Sequence, residues 1–390
     1  MKIYTLFLIT IFSFLACKAQ QKDLEATKIN FQVNYNVIHK EDSNSKKILI
    51  QWEMLLNRNH LSDFQDTEML RNWLTTDLFP YPNRFLGFLR DIKKNASQSQ
   101  VTVIGLYPVA RDTYALKTMF SYMNTKTQKI ELDNILTVYV VQDKNEFKFM
   151  CSPQWYANQW NTKQIGKCRY FFAKTHVFNE TNGIRMDSFN TAIAKVFRLS
   201  PLSFKYFVCA NSIESYYLAG CDFLPEQYVY STSGAFTDPV QQVIFAGNAT
   251  EYYPHEVVHL YLYEIEQKND LPCHYWFKEG IATFFGGSRG YLLEWHLKKL
   301  KIYLDQHDEE LLNDISKLSS VPNGEYTTEY PYVIGGLICK KIYEKEGMDG
   351  LFELLKAGSS DADFYKMIEK KFNVKKENFG TFIRAELKNY

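Results

Sequence analysis

The chain has 390 residues, of which 46% are hydrophobic and 23% charged, with 45 Lys and Arg against 44 Asp and Glu. This balance is typical of a folded globular protein and excludes intrinsic disorder, coiled coils and collagen-like repeats. A formal net charge of +1, without a basic stripe, also argues against nucleic acid as a partner. At roughly 150 residues per domain, the length predicts two domains.

The first residues have the pattern of an export signal. Met1 and Lys2 precede an apolar run at 3–16, which is shorter than the roughly 20 residues of a membrane-spanning helix. The run ends in F-L-A-C, which resembles the lipobox of bacterial lipoproteins and implies cleavage before Cys17 and acylation of this residue. Cleavage after Ala19 is the alternative, and it would release a soluble chain.

These features predict a protein of the bacterial cell envelope, with a signal peptide at 1–17 and a linker at 18–27. Acylated Cys17 would anchor the protein to a membrane, with the folded part in the periplasm or on the outer-membrane surface. This lipid would be the protein's only contact with a membrane. Without acylation it would be secreted. Six other cysteines are present, and Cys209 and Cys221 are close enough to bridge, but free buried thiols fit equally well.

The N-terminal half, 28–160, is predicted to form an α+β roll of unknown role. Apolar residues at helical spacing predict helices at 46–58, 66–77 and 84–94. Alternating or β-rich runs predict strands at 31–37, 101–109, 113–122 and 135–150. The last run contains a hairpin turn at 142–145. No catalytic group of residues is apparent in this half.

The second half, 165–390, is predicted to be an α+β domain in which a mixed sheet is followed by a helical subdomain. Strands are expected at 169–172, 205–209 and 240–247, with an amphipathic helix at 184–197. Beyond residue 252 nearly all predicted elements are helices, at 254–266, 276–285, 290–306, 334–346, 348–357, 361–372 and 376–388.

The sequence H-E-V-V-H at 255–259 points to metal chemistry. On a helix, His255 and His259 are one turn apart, so both imidazoles project from one face and can bind one Zn²⁺. Glu256 lies about 100° round the helix, where it can take a proton from a water molecule at the open metal position and pass it to a leaving amine. Pro254 suits the first turn of this helix, where a missing N–H is harmless.

Glu279 is the predicted third ligand, because a catalytic zinc site has three protein ligands and one open position. It stands twenty residues after His259, in the sequence W-F-K-E-G-I-A at 276–282, on a second predicted helix that follows a polar loop at 267–272. The alternative for Glu279 is a solvated charge on the helix surface. His274 is interpreted as a cleft residue rather than a ligand.

Together these residues resemble the gluzincin metallopeptidases, the family that contains thermolysin and the aminopeptidase-N-like enzymes. The resemblance consists of H-E-V-V-H, a gap of nineteen residues and then E-G-I-A, and it covers about 165–390. It implies a thermolysin-like metallopeptidase domain. It also implies that His255, His259 and Glu279 are zinc ligands and that Glu256 is the general base.

Two further stretches are similar to the aminopeptidases of this family. Y-V-I-G, which starts at Tyr332, resembles the Y-x-x-G of a later helix and implies that Tyr332 stabilises the oxyanion; Tyr330 is the near rival and Tyr326 a more distant one. G-A-F-T-D at 234–238 stands where those enzymes have G-[AG]-M-E-N, whose Glu binds the substrate amine. Thr237 occupies the Glu position, so the amine-binding carboxylate is missing, although an edge strand can still pair with an extended substrate.

The sequence therefore predicts an exported zinc peptidase that hydrolyses peptide bonds with metal-activated water and acts on a peptide or protein. Three alternatives remain. The first is an aminopeptidase that binds the free amine through another acidic group. The second is a catalytically silent surface lipoprotein that binds peptide or glycan on a peptidase scaffold. The third is a purely structural H-E-x-x-H helix, which would leave Glu279 unexplained.

Overall fold

A computed structural model describes residues 29–34, 43–57, 70–82, 99–144, 146–224, 234–269, 272–308, 310–318, 320–321 and 328–390. The predicted signal peptide, the linker, Cys17, the helix at 84–94 and Tyr326 lie outside these ranges. The chain divides into two compact units. The first unit comprises Met1–Gln159 and Tyr216–Val229, and the second comprises Trp160–Ser215 and Tyr230–Tyr390.

The described strands are β1 (Asn30–Val33), β2 (Ser99–Ala110), β3 (Thr113–Asn124), β4 (Lys129–Asp143), β5 (Glu146–Met150), β6 (Asn161–Ile165), β7 (Cys168–Phe172), β8 (Phe204–Cys209), β9 (Cys221–Phe223), β10 (Gly234–Asp238), β11 (Val243–Gly247), β12 (Ser320–Val321) and β13 (Thr328–Glu329). The described α-helices are α1 (Ser43–Leu56), α2 (Ser152–Ala157), α3 (Glu180–Val196), α4 (Ser212–Leu218), α5 (Pro254–Asn269), α6 (Tyr275–Gly286), α7 (Leu293–Gln306), α8 (Tyr330–Leu354), α9 (Asp361–Phe372) and α10 (Phe379–Leu387). Eleven of the thirteen described strands lie before residue 248 and six of the ten described α-helices lie after it, and the predicted α+β class is confirmed.

The first unit is built on a sheet in the order β1-β2-β3-β4-β5, in which β1 and β2 are parallel and the other neighbours antiparallel. Helix α1 packs on this sheet through Trp52, whose indole N–H donates a hydrogen bond of 3.0 Å to Thr118. The Trp52 ring lies 5.0 Å from the ring of Phe149. This aromatic contact places the core of the unit between the helix and the sheet.

The prediction of a helix at 66–77 is wrong for residues 71–77, which are not helical. Trp73 forms a β-bridge with Phe149 there, and the N–H of Leu74 donates to the Phe149 carbonyl at 2.6 Å. The Phe149 N–H donates in turn to the Asn72 carbonyl at 2.8 Å. The segment has helical apolar spacing, but its backbone groups pair with β5 and are then unavailable for a helix.

Residues 216–229 belong to the first unit, although the sequence boundaries placed them in the second domain. Strand β9 lies in this segment and pairs with β4. Asp222 of β9 accepts a hydrogen bond of 2.9 Å from Thr137 and forms a partly buried ion pair with Lys117. Pairing of this kind depends on contacts distant in sequence, so no local pattern indicates it.

The second unit contains a five-stranded sheet in the order β10-β11-β8-β7-β6. The three central strands are parallel and both outer pairs are antiparallel, as expected for a mixed sheet. Strand β8 is buried along its whole length, and Phe207 on it stacks against Phe171 at 4.8 Å and Phe245 at 5.3 Å. β10 is at one edge of this sheet, next to the start of the helical region.

Helices α6 and α8 touch backbone to backbone. A Cβ placed on Gly280 of α6 would overlap the backbone of Gly335 on α8, and a Cβ on Gly335 would overlap the carbonyl oxygen of Trp276. Two glycines are therefore needed for this crossing. Glu279 directly precedes Gly280, and Tyr332 lies about one turn before Gly335, so the contact fixes the relative positions of these two side chains.

The six described cysteines, including Cys209 and Cys221, are free and buried. Burial raises the pKa of the Cys209 thiol well above its usual value. Of the two sequence alternatives, the structure therefore has free thiols. None of the helices in the described ranges combines the length and hydropathy that a membrane crossing requires.

Candidate metal centre

The three predicted metal ligands converge. Nε2 of His255 lies 3.1 Å from Nε2 of His259 and 3.2 Å from Oε2 of Glu279, and the remaining side of the triangle, from His259 to Glu279, is 3.4 Å. Zinc at 2.0–2.1 Å from each of four tetrahedral ligands requires ligand atoms roughly 3.3–3.4 Å apart. The three donor atoms thus form one face of a tetrahedron of the size that Zn²⁺ requires.

Charge in this cluster also suits a cation. Glu279 is 8% exposed, and its burial alone would raise the pKa of the carboxyl group, but His259 and His255 outweigh burial and hold that pKa well below its usual value. For His259 burial acts in the opposite direction and would lower the pKa. The Glu279 carboxylate outweighs burial and raises the pKa of His259 to about 9. The carboxylate is therefore ionised and directed at a site that favours positive charge.

A backbone carbonyl orients His255. Nδ1 of His255 lies 2.7 Å from the carbonyl oxygen of Gly287, which can only accept, so Nδ1 carries the proton and donates it. The lone pair of His255 is then on Nε2, the atom that points at His259 and Glu279. A hydrogen bond of this type fixes both the tautomer and the ring orientation of a metal-ligating histidine.

The turn that supplies this carbonyl depends on two glycines. Gly287 has φ of 72°, and a Cβ there would overlap the carbonyl oxygen of Tyr291. Its neighbour Gly286 lies so close to the backbone of His255 that a Cβ would collide with it. No motif in the sequence indicates this contact; the one available signal is the Gly-Gly pair just beyond the predicted end of α6.

Replacing Gly287 by alanine is expected to weaken zinc binding by roughly 10–100-fold, because the strained turn moves the carbonyl that orients His255. Competition with a chelating dye would measure the affinity. Gly347→Ala is the matched control, since Gly347 is also left-handed, with φ of 62°, but a Cβ there meets nothing within 4 Å. Equal zinc affinity of the two variants would contradict a role for the carbonyl.

Glu256 lies beside the ligand cluster. Its side chain is 5% exposed, and its negative charge is one of the influences that raise the pKa of His259. One carboxylate oxygen, Oε2, accepts a hydrogen bond of 2.7 Å from the hydroxyl group of Thr237 on β10. The predicted base and the predicted ligands thus share one buried site at the start of α5.

Of the two rival tyrosines, Tyr332 is the one beside the ligands. Its ring lies 5.5 Å from the His255 ring and is inclined to it by only 17°. Burial first, and then the Glu279 charge, raises the pKa of the Tyr332 phenol well above its usual value, so the hydroxyl keeps its proton. Tyr330 is fully buried in a different environment, where burial and Glu310 raise its pKa.

His274 has a structural role instead of the cleft position predicted for it. It is 5% exposed and caps the N-terminus of α6, because its Nδ1 accepts the backbone N–H of Trp276 at 3.2 Å. Its other ring nitrogen lies 3.2 Å from Asp361 on α9. His274 therefore helps to start the helix that presents Glu279.

An ion pair that no sequence motif indicates joins two segments around the site. Arg289 lies in the turn after α6, and its guanidinium is 2.8 Å from the carboxylate of Glu329, the residue before α8. The backbone N–H of Arg289 also donates to the hydroxyl group of Tyr253 at 3.2 Å. Both charged side chains are largely buried, so this pair links the turn that orients His255 to the helix that carries Tyr332.

No protein-family model matches the chain, and a search of curated proteins found no match.

Proposed function

We propose that the chain is an exported zinc-dependent peptidase. The observation that supports this proposal most directly is the triangle of donor atoms from His255, His259 and Glu279, with sides of 3.1–3.4 Å. Two imidazoles and one carboxylate form the ligand set of a catalytic zinc site, in which a fourth position remains open. Glu256 beside this triangle supplies the base that a binding protein without turnover would not need.

Zinc held by these three ligands would polarise the scissile carbonyl and make the attacking water more acidic. Glu256 accepts the proton of that water and then delivers it to the nitrogen of the leaving amine. Tyr332 has a protonated hydroxyl group, and it donates a hydrogen bond to the oxygen on which negative charge develops. The carbonyl of Gly287 keeps His255 in the tautomer that this chemistry requires.

Strand β10 is the proposed platform for the substrate. Among the described strands it is the edge strand of its sheet, next to β11. An extended peptide can add to such an edge through main-chain hydrogen bonds. Thr237 of the same strand contacts Glu256, so a peptide bound along β10 would pass close to the proposed base. The proposed substrate is therefore a peptide or an extended segment of a protein.

The proposed location is the bacterial cell envelope. Export depends on the segment 1–17 and anchoring on Cys17, both of which lie outside the described residues. The protein would be purified from a membrane fraction and the mass of its N-terminal peptide measured. A mass increase equal to an attached lipid would distinguish the anchored form from a secreted one.

The test of the proposed function combines metal content with peptide cleavage. Wild-type protein purified without chelator is expected to contain about one zinc per chain and to cleave an unbiased peptide library. A chelator should abolish cleavage, and added zinc should restore it. The cut positions then distinguish an endopeptidase from an aminopeptidase. Zinc without cleavage would favour the silent binding protein, and absence of zinc would overturn the metal site.

A further inference from the structure

The hydroxyl group of Thr237 contacts the proposed base, Glu256. The Thr237 side chain is 9% exposed, and its hydroxyl oxygen lies 2.7 Å from Oε2 of Glu256 and 3.2 Å from the main-chain carbonyl oxygen of Glu256. A hydroxyl group has one proton to donate. The shorter contact, to a charged acceptor, is the stronger of the two.

The donor is held rigidly. Thr237 lies within β10 and pairs with Ile244 of β11, which in turn pairs with the fully buried β8. The next residue, Asp238, is 3% exposed and accepts hydrogen bonds from the backbone and side chain of Gln241, which pins the end of the strand. Threonine is also stiff about χ1 because it is β-branched. The hydroxyl position is therefore set by the sheet.

A carboxylate that acts as a base needs a fixed orientation. The terminal torsion of glutamate is broad and roughly two-fold, so an isolated side chain would present either oxygen at many angles. Occupying Oε2 with a hydrogen bond from Thr237 leaves Oε1 as the oxygen available for the proton of the attacking water. Orientation of this kind is a large part of the contribution that an enzyme makes to rate.

On this basis, and resting on the proposed peptidase function, we propose that Thr237 is a positioning residue that holds the Glu256 carboxylate in its catalytic orientation. Thr237 occupies the position at which the resemblance to G-[AG]-M-E-N implies a glutamate, and its hydroxyl group contacts the Glu256 carboxylate instead. The proton of the hydroxyl group stays on Thr237 throughout; only the carboxylate of Glu256 gains and loses a proton.

The first arm of the test uses activity. Thr237→Val keeps the shape of the side chain and removes the donor, so kcat should fall by roughly 10–100-fold while KM stays unchanged. Thr237→Ser restores a hydroxyl group and should recover most of kcat. A serine variant as impaired as the valine variant, or a valine variant with wild-type kcat, would overturn the proposal.

The second arm needs neither zinc nor activity. In metal-free protein, Thr237→Val leaves a buried carboxylate without its donor and should lower Tm by roughly 3–6 °C. In a Glu256→Ala background the same substitution should have little effect, because the charged acceptor is gone. If the wild-type protein cleaves peptides but Thr237→Val lowers Tm equally in both backgrounds, the role of Thr237 alone is overturned. A wild type that cleaves no peptide would overturn the proposed function and the catalytic role together.

Discussion

Replacing Glu256 by glutamine is expected to lower kcat/KM for peptide cleavage by roughly 10²–10⁴-fold and to leave the zinc content at the wild-type value. The amide has nearly the shape of the carboxylate and still accepts a hydrogen bond from Thr237, but it cannot take a proton from water. The three donor atoms belong to other residues, so the metal site stays intact. This one variant is therefore expected to lose peptidase activity and to keep its zinc.

Initial rates on the best peptide from the library, with zinc measured on the same sample, would test this expectation. Glu264→Gln is the matched control, because Glu264 is a carboxylate on the same helix, α5, two turns beyond Glu256, and is not part of the site. The control should keep both rate and zinc. A Glu256→Gln variant with wild-type rate would exclude Glu256 as the base, and one that lost its zinc would show that the residue maintains the metal site.

The donor triangle was predictable from sequence because most of it is local. His255 and His259 face the same way for no other reason than the period of the helix, and the structure places their Nε2 atoms 3.1 Å apart. Glu279 required a second helix and a chain reversal, both of which the spacing and the polar loop indicated. The class of fold followed in the same way, from strands that come before helices.

Backbone groups and contacts across the sheet were not predictable in this way. The Gly287 carbonyl has no side-chain signature, and its direction depends on a left-handed φ. Thr237 and Glu256 are 19 positions apart and meet only because β10 lies beside the start of α5. The resemblance to G-[AG]-M-E-N implies a carboxylate at position 237, whereas the group that contacts Glu256 is the hydroxyl group of Thr237.

The choice between Tyr332 and Tyr330 shows the same limit at close range. Side chains two residues apart on a helix are rotated by about 200° around its axis and point in nearly opposite directions, so only one of them can face the ligands. The spacing along the chain does not say which. The contact between Gly280 and Gly335 decides it, because it sets the rotation of α8 against α6. That rotation depends on two helices more than fifty residues apart in sequence.

Glu279→Ala is expected to reduce zinc affinity by more than about 100-fold, which exceeds the effect expected from loss of an outer hydrogen-bond partner. Two imidazoles would remain, and the site would lose both its third donor atom and the negative charge of that ligand. The lost carboxylate is also the largest of the influences that raise the pKa of His259 to about 9, so its removal weakens the preference of the cluster for positive charge. Peptide cleavage should fall together with zinc.

Zinc content per chain and a competition titration would measure the loss, with thermal unfolding to verify that the variant is folded. Glu294→Ala provides the control, because Glu294 is a half-exposed carboxylate in the first turn of α7 and pairs with Lys340 at the surface. It should bind zinc as the wild type does. A folded Glu279→Ala protein with wild-type affinity would mean that the carboxylate only balances the charge of the two histidines, and the third ligand would have to be sought elsewhere.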